Sequence, residues 1–416
     1  MDIPQGYKQT ELGIIPEDWE IVNLGSVAKI NGRIGFRGYT TADLVGVGQG
    51  AYTIGGKHIT NMVLDLHDAE YISWQKYYES PEIMVRKGDI VFAQRGTLGK
   101  SAFIVNDIGP ATINPSLVLI NKIKCDNEYL SYWLQCDKIV EYICSINSQT
   151  SIPMITQNQI EHIPVVLSRI KAEQQAIAEA LGDIDGLIAT LDKKIAKKRL
   201  IKQGAMSQLL TGKKRFPGFS DPWVERKLGE IGVWVKGQSL SKNDITPNGK
   251  NICIHYGELF SYGEVITSPI SRTNSQPITI SLGNEILFPD SDVTPDGLGR
   301  CSALLMKDVI IGSGVNILRH NPLYDTSFVS YSINANRSKI IDRVTGTTVK
   351  HINSKELSEV VIEIPKNKDE QIAIATMLND MDKEIDDLEA QRDKYRLLKS
   401  GMMQKLLTGQ IRLKIK

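Results

Sequence analysis

Two segments of the chain, 173–215 and 370–412, carry a regular stripe of apolar positions. The apolar residues follow one another at alternating steps of four and three, which places them on one face of an α-helix. The stripes comprise Ile177, Leu181, Ile184, Ile188, Leu191 and Ile195 in the first segment and Ile374, Leu378, Met381, Ile385 and Leu388 in the second. The pattern predicts two long helices, the first of roughly 57 Å. Because both stripes are strongly apolar, it favours antiparallel pairing of the two helices as a coiled coil.

The two segments are copies of one sequence. At a constant offset of 197 residues and without a gap, 21 of the 43 positions are identical. Near its end each copy contains Leu-Leu-Thr-Gly, at 209–212 and 406–409, which places Gly212 and Gly409 where a glycine commonly closes a helix. Weaker repeats lie outside the helices, such as Trp19 with Trp223 at an offset of 204. The whole chain is therefore predicted to consist of two related halves.

Outside the two stripes, short β-rich runs alternate with turns rich in glycine, asparagine and proline. One further helix is expected in each half, near 126–146 and 325–343. The predicted fold class is α/β of the mixed α+β kind, with two globular domains, two long antiparallel helices and an internal pseudo-two-fold repeat. The predicted division is 1–168 for the first globular domain, 169–215 for a central helical spacer, 216–366 for the second globular domain and 367–416 for a C-terminal helical spacer.

Composition is that of an ordinary soluble protein, with 41% hydrophobic and 23% charged residues. No apolar run approaches roughly 18 residues, and the first residues lack the basic and apolar regions of a secretion signal. The five cysteines form no CxxC pair, which fits reduced thiols. These features predict a cytoplasmic protein without a membrane span. Because the net charge is only +1, nucleic-acid binding would depend on local basic patches.

Three short strings imitate catalytic motifs, and each lacks an essential part. Residues 94–101 end like a phosphate-binding loop, but Gln94 stands where that motif needs its first glycine. Residues 321–324 read Asn-Pro-Leu-Tyr, without the second proline of an adenine methyltransferase loop. Pro289-Asp290 could begin a nuclease site, but no lysine within 291–370 has an acidic residue two positions before it. We therefore expect no catalytic residue, no metal site and no bound cofactor in this chain.

DNA contact requires polar and basic side chains on loops that can enter a groove or meet the phosphates. Both halves contain such segments, and those of the second half follow Trp223 and an apolar strand, as their counterparts do in the first. The candidates are Arg33, Arg37, Lys57, Gln94, Arg95, Thr97 and Lys100 in the first half and Lys236, Gln238, Lys242, Ser291 and Arg300 in the second. Arg33 and Arg37 are flanked by glycines, which predicts a mobile loop that presents cations. A plain solvated surface is the alternative for every candidate.

Several local signatures occur in order and in duplicate. Pro-Glu-Asp-Trp-Glu at 16–20 precedes Leu-Gly at 24–25, and Asp-Pro-Trp at 221–223 precedes Leu-Gly at 228–229. Glu-Gln-Gln-Ala-Ile-Ala at 173–178 returns as Glu-Gln-Ile-Ala-Ile-Ala at 370–375. Together with Gly-Asp-Ile-Val-Phe-Ala-Gln-Arg-Gly-Thr-Leu-Gly-Lys at 88–100, this arrangement resembles the specificity subunit of type I restriction–modification systems. The resemblance extends over essentially the whole chain.

The resemblance implies that each globular domain is a target recognition domain that reads one half of a split sequence in double-stranded DNA. It implies that the helices hold these domains apart and dock DNA adenine methyltransferase subunits and a restriction and translocation subunit. In this family the specificity subunit carries no catalysis, while its partners methylate adenine with S-adenosylmethionine and cleave DNA with ATP. Because the two halves of the chain differ, the expected site is bipartite and not palindromic.

Two other interpretations come from different functional classes. The first is a duplicated coiled-coil scaffold with protein-binding modules, which would show no sequence-selective DNA binding. The second is a fused modification enzyme, which would transfer methyl groups alone. Self-association of the isolated chain is left open by the sequence.

Overall fold

The computed structural model describes residues 3–60, 62–147, 153–238, 240–276 and 278–413. Its longest elements are a central helix, Lys171–Leu209, and a C-terminal helix, Lys368–Leu406. Gly212 and Gly409 follow these helices with φ angles of 65° and 68°, the left-handed conformation that a glycine adopts when it closes a helix. The two long helices and their glycine caps are therefore confirmed.

The chain divides into two compact units that each contain part of both long helices. Unit 1 comprises Met1–Leu191 and Gln391–Lys416, and unit 2 comprises Asp192–Ala390. This division passes through the long helices, whereas the four-segment division expected from the sequence keeps each helix whole. The four-segment division stays a prediction.

The two helices run antiparallel where they pack, as the same set of contacts shows in each unit. In unit 1, Lys399 of the C-terminal helix lies 2.8 Å from Asp185 of the central helix, and the Tyr132 hydroxyl donates to the same carboxylate at 2.8 Å. In unit 2 the lysine is on the central helix and the aspartate on the C-terminal helix: Lys202 lies 2.5 Å from Asp382. The Tyr331 hydroxyl donates to the same carboxylate at 2.5 Å. Each lysine nitrogen also lies close to the face of its tyrosine ring, at 5.1 Å in unit 1 and 5.3 Å in unit 2.

Unit 1 contains two four-stranded sheets and several short helices. The first sheet has the strand order Ser101–Phe103, Ile90–Ala93, Leu117–Asn121, Lys29–Gly32 and is antiparallel. The second has the order Ala111–Ile113, Gly50–Ile54, Glu70–Ser73, Leu44–Val45, in which the first pair is parallel. The remaining strands are Tyr7–Thr10, Gly13–Pro16, Trp19–Asn23, Ile59–Thr60, Val63–Leu64 and Pro164–Ser168. The α-helices are Leu24–Val27, Trp74–Tyr78, Asn127–Trp133, Asp137–Ile146 and Gln157–Glu161.

Unit 2 has a related arrangement with a five-stranded and a four-stranded sheet. The five-stranded order is Gly232–Lys236, Val315–His320, Glu285–Pro289, Ser302–Leu304, Val265–Ile266. The four-stranded order is Ser271–Thr273, Asn251–Ile254, Lys307–Ile311, Ile280–Leu282, in which the middle pair is parallel. The remaining strands are Val224–Lys227, Ser291–Asp292, Lys350–His351 and Val361–Ile364. The α-helices are Leu228–Ile231, Pro295–Leu298, Thr326–Ala335, Ser338–Ile341 and Ser354–Ser358. The mixed α/β class and the internal repeat are confirmed.

Each unit buries the start of one long helix against its own sheet and short helices. In unit 1, Tyr129 and Trp133 belong to the same apolar core as Ile177 and Leu181 of the central helix. In unit 2, a corresponding core includes Ile374 and Leu378 of the C-terminal helix. Full burial of such a side chain contributes about 1.5–3 kcal/mol. Of the other stripe residues, Leu191, Ile195, Ile385 and Leu388 are also buried, and Ile184, Ile188 and Met381 are half-buried. Their individual contacts at a helix or subunit interface stay predictions.

The short helices differ from the expectation of one per half. The segment near 126–146 forms two helices, Asn127–Trp133 and Asp137–Ile146, and the segment near 325–343 forms Thr326–Ala335 and Ser338–Ile341. The first helix of each pair begins at an aspartate, Asp126 or Asp325, whose side chain accepts a hydrogen bond from the backbone three residues on. The prediction of one continuous helix over 126–146 was wrong. Residues 134–136, which separate the two helices, contain no glycine or proline that would have indicated the break. In the described part of the chain, no helix is long and apolar enough to cross a membrane.

Stability of unit 2 is expected to fall as the pH drops from 7.5 to 5.5. His320 is 2% exposed, its Nε2 lies 2.9 Å from the Thr326 hydroxyl, and burial lowers its pKa. Its contribution to stability is therefore complete above about pH 6.5, the ordinary histidine pKa, and is lost as the pH falls toward the lowered value, because the unfolded chain takes up the proton first. Urea unfolding of the full chain at both pH values measures the loss. His320→Gln should reduce it, whereas the same substitution at the exposed His162 should not; an equal response would contradict the assignment.

Candidate nucleic-acid interface

The carboxyl ends of several unit 1 strands meet at a polar recess. Gly50–Ile54 and Ala111–Ile113 run parallel, so Gly55 and Asn114 leave the sheet at the same edge, and Asn114 N–H donates to Ile54 O at 2.8 Å. The turn after strand Ile90–Ala93 completes the recess, whose volume is about 360 Å³. Its lining consists of Tyr39, Thr53, Gly55, Gly56, Lys57, His58, Glu70, Arg95, Gly96, Thr97, Asn114 and Ser116.

Three of the candidate residues of the first half lie together in this recess. Lys57, Arg95 and Thr97 are exposed and line it. Lys57 pairs with Asp68 at 3.2 Å, an exposed ion pair of the kind that contributes little to stability. Gln94 is half-buried beside the recess and donates to Pro115 O at 3.0 Å, while Lys100 is exposed outside the lining. Direct contact of these residues with DNA stays a prediction.

Arg33 is not presented on a mobile loop as expected. Its side chain is 8% exposed, and its guanidinium donates to Ile113 O at 3.1 Å and to the Thr112 hydroxyl at 3.0 Å. Burial lowers the pKa of Arg33, against the opposing influence of Tyr39, whose ring lies 5.2 Å from the guanidinium carbon. Arg37 is half-exposed and lies 3.4 Å from Glu82. Arg33 therefore ties its segment to the strand Ala111–Ile113 that leads into the recess.

Asn114 and Ser116, which help to shape the recess, were not among the residues predicted from the sequence. Asn114 Oδ1 accepts hydrogen bonds from the Ser116 backbone at 2.9 Å and the Ser116 hydroxyl at 2.6 Å. His58 Nδ1 accepts from the Gly55 N–H at 2.9 Å, and burial, followed by the charge of Lys57, lowers the pKa of His58. His58 is therefore a neutral part of the scaffold near neutral pH. The string Asn-Pro-Ser after an apolar run is an asparagine-turn signal that could have drawn attention to Asn114.

The candidates of the second half are more scattered. Lys236 is exposed, and its Nζ lies 3.1 Å from Asp290. Gln238 and Lys242 are exposed, and Ser291 is half-buried in strand Ser291–Asp292. Arg300 is half-buried and donates to Phe260 O at 2.9 Å and Tyr262 O at 2.7 Å, and burial lowers its pKa. Arg300 thus holds the 256–260 turn and the loop after it inside unit 2, and its contact with DNA stays a prediction.

Comparisons with known proteins agree on one family. The sequence profile described as "Type I restriction modification DNA specificity domain" matches residues 16–198 and 220–395. The type I restriction enzyme MjaVIII specificity subunit of Methanocaldococcus jannaschii is 24% identical over 432 residues, which span 99% of this chain and 97% of that protein. The MjaX protein of the same organism is 26% identical over 442 residues, with the same two coverages of 99% and 97%.

A solved structure shows the same fold. The S subunit of the type I restriction-modification system from M. genitalium aligns with a TM-score of 0.63 at 15% identity, over 98% of each chain. The two profile matches fall on the two repeated halves, and each includes most of a long helix. This chain is therefore a member of the type I restriction-modification DNA specificity family.

Proposed function

We propose that this chain is the sequence-specific DNA-binding subunit of a type I restriction–modification complex and recognises a bipartite, non-palindromic site. The observation that carries this proposal is a repeated scaffold with different polar side chains at its strand ends. Unit 1 places Lys57, Arg95 and Asn114 around a recess, whereas unit 2 places Asp290 and Tyr256 at the corresponding strand ends. Two domains with related backbones and different side chains at the strand ends favour recognition of two different half-sites in the DNA.

Docking of adenine methyltransferase and restriction subunits is the second part of the proposal. On the central helix, Leu200 and Ile201 are exposed, and Leu397 and Leu398 are exposed at the equivalent positions of the C-terminal helix, 197 residues later. Exposed apolar pairs repeated on both helices favour the binding of partner proteins. In this proposal the partners carry adenine methylation and ATP-dependent cleavage, the present chain acts in the cytoplasm without catalysis, and the domain division is 1–168, 169–215, 216–366 and 367–416.

The test is adenine methylation mapped across a host genome with and without this gene, in the presence of the partner methyltransferase. The expected result is one motif of two different defined halves separated by an unread gap, which disappears when the gene is deleted. Salt should weaken binding of the purified complex steeply, because lysine and arginine contacts release counterions from the phosphates. A continuous or palindromic motif, or a motif that persists without the gene, would contradict the proposal.

A further inference from the structure

Part of the backbone frame around the unit 1 recess is repeated in unit 2. Three backbone hydrogen bonds and one side-chain cap of unit 1 have equivalents in unit 2, which fixes the pairing of positions between them. The Asn114 N–H donates to Ile54 O at 2.8 Å, and its equivalent is Gly312 N–H to Ile254 O at 3.0 Å. The Gln94 N–H donates to Ser116 O at 3.0 Å, and its equivalent is Asp290 N–H to Gly314 O at 3.0 Å. The Ile155 N–H donates to Gln94 O at 3.0 Å, and its equivalent is Ile352 N–H to Asp290 O at 3.0 Å. The Gly55 N–H donates to His58 Nδ1, and in unit 2 the His255 N–H likewise donates to the Glu258 carboxylate.

The side chains at the paired positions differ in size and charge. The pairs are Gly56 with Tyr256, Lys57 with Gly257, Gln94 with Asp290, Arg95 with Ser291, Asn114 with Gly312 and Ser116 with Gly314. None of these six pairs is conserved, although the hydrogen bonds that position them are. Unlike side chains on a shared set of backbone hydrogen bonds are the pattern expected of residues that choose a ligand.

Unit 1 presents mainly hydrogen-bond donors at the recess. Lys57 and Arg95 are cations, and the oxygen of Asn114 is occupied by Ser116, so its amide nitrogen is the group left to face a ligand. The orientation of Asn114 depends on Gly55, because a Cβ at that position would lie 2.6 Å from Asn114 Nδ2. Glu70 is the carboxylate of the lining.

Unit 2 places an aromatic ring and a carboxylate at the equivalent positions. The Tyr256 side chain packs on Gly314, where an added Cβ would lie 3.1 Å from the tyrosine side chain. The Tyr256 hydroxyl donates to Ser291 O. Asp290 then supplies a half-buried carboxylate, held by Lys236 at 3.1 Å. The two units cannot present the same pattern of donors and acceptors at this position.

We infer that the unit 1 recess is the base-reading site of that unit and that Arg95, Lys57 and Asn114 recognise the O6 and N7 acceptors of a guanine in the major groove. Guanine offers two adjacent acceptors on this edge, which suit a set of donors, and arginine and lysine are the side chains that most often read it. A phosphate would also attract the two cations, but it would not require an amide held in one orientation by Gly55 and Ser116. This inference rests on the proposed function and names the residues that set its specificity.

The experiment uses the full chain assembled with its methyltransferase partner and maps methylated adenines for the wild type, Arg95→Ala, Asn114→Ala and Gly55→Ala. Each variant should make one guanine position in one half-site degenerate, with discrimination at that position lowered by roughly ten- to a hundred-fold, while the other half-site is unchanged. Asp290→Ala should alter only that other half. Arg86→Ala removes an exposed arginine of unit 1 outside the recess and should leave the motif intact.

Each alternative outcome is distinct. An unchanged motif in Arg95→Ala and Asn114→Ala overturns the inference and leaves the proposed function standing. A uniform loss of methylation at all sites with the motif preserved identifies a phosphate contact, and loss of the assembled complex identifies a protein contact; either result also overturns it. A wild-type complex that methylates no defined sequence overturns the proposed function and this inference together. Thermal unfolding of each purified variant complex separates misfolding from lost recognition, and Arg95→Ala, which alters an exposed side chain, should melt like the wild type.

Discussion

Replacing Arg412 with alanine is expected to lower the free energy of unfolding of unit 1 by about 3 kcal/mol. Glu173 at the start of the central helix is 1% exposed, and its carboxylate lies 2.6 Å from Arg412 Nε. Without the guanidinium, a buried negative charge remains unpaired, which costs more than the intact pair contributes. The Ser168 hydroxyl at 2.5 Å and the Trp19 indole at 3.2 Å still donate to Glu173 and limit the loss.

The measurement is amide hydrogen exchange of the full-length chain, because it reports on the two units separately. Arg412→Ala should speed exchange around 173–185 and leave 370–382 unchanged. Adding Glu173→Gln should restore part of the loss, since it removes the unpaired charge. Arg396→Ala is the matched control on the C-terminal helix, because the Arg396 side chain pairs with Asp393 at the exposed surface, where such pairs contribute little. An equal effect of Arg396→Ala and Arg412→Ala would show that burial of Glu173 does not determine the cost.

The long helices could be predicted from the sequence because their signals are local. The spacing of Ile177, Leu181 and Leu191 specifies a helical face, and Gly212 specifies its end. The ion pairs of Lys202 and Lys399, each with an aspartate of the other long helix, were not predicted, because only the apolar positions of the two helices entered the prediction. Antiparallel packing requires these lysines to meet Asp382 and Asp185, and the offset of 197 between the two pairs could have shown this.

The candidate site was harder to predict because its residues are joined by strand pairing across long separations. Lys57, Arg95 and Thr97 were found by residue type, but nothing local indicates that they share a recess with Asn114. Arg33 shows the converse error: glycines beside it favour an exposed loop, whereas its hydrogen bonds go to a strand about 80 residues away. Local composition selects side chains that are able to bind DNA, and only the fold determines which of them are already engaged.

Replacing each helix-closing glycine with alanine is expected to affect the two units unequally, although both stand in the same Leu-Leu-Thr-Gly string. Gly212 and Gly409 have φ angles of 65° and 68°, so alanine costs about 1 kcal/mol at either position. At Gly212 the added Cβ would lie 3.5 Å from the Trp223 ring, an ordinary contact. At Gly409 it would lie 2.5 Å from two ring carbons of Pro16, a clash that a rigid ring cannot relieve by rotating.

Overpacking at such a contact adds about 1–3 kcal/mol, so Gly409→Ala should destabilise unit 1 by about 2–4 kcal/mol in total, and Gly212→Ala should destabilise unit 2 by about 1 kcal/mol. Amide hydrogen exchange near 15–23 and near 223–227 measures the two effects in one chain, with each variant serving as the other's control. Pro16→Ala removes the clashing ring and should make Gly409→Ala as mild as Gly212→Ala. If the two glycine variants are equally mild with Pro16 present, the strand Gly13–Pro16 moves to accommodate the new methyl group. The packing of that strand on the end of the C-terminal helix would then be less rigid than expected.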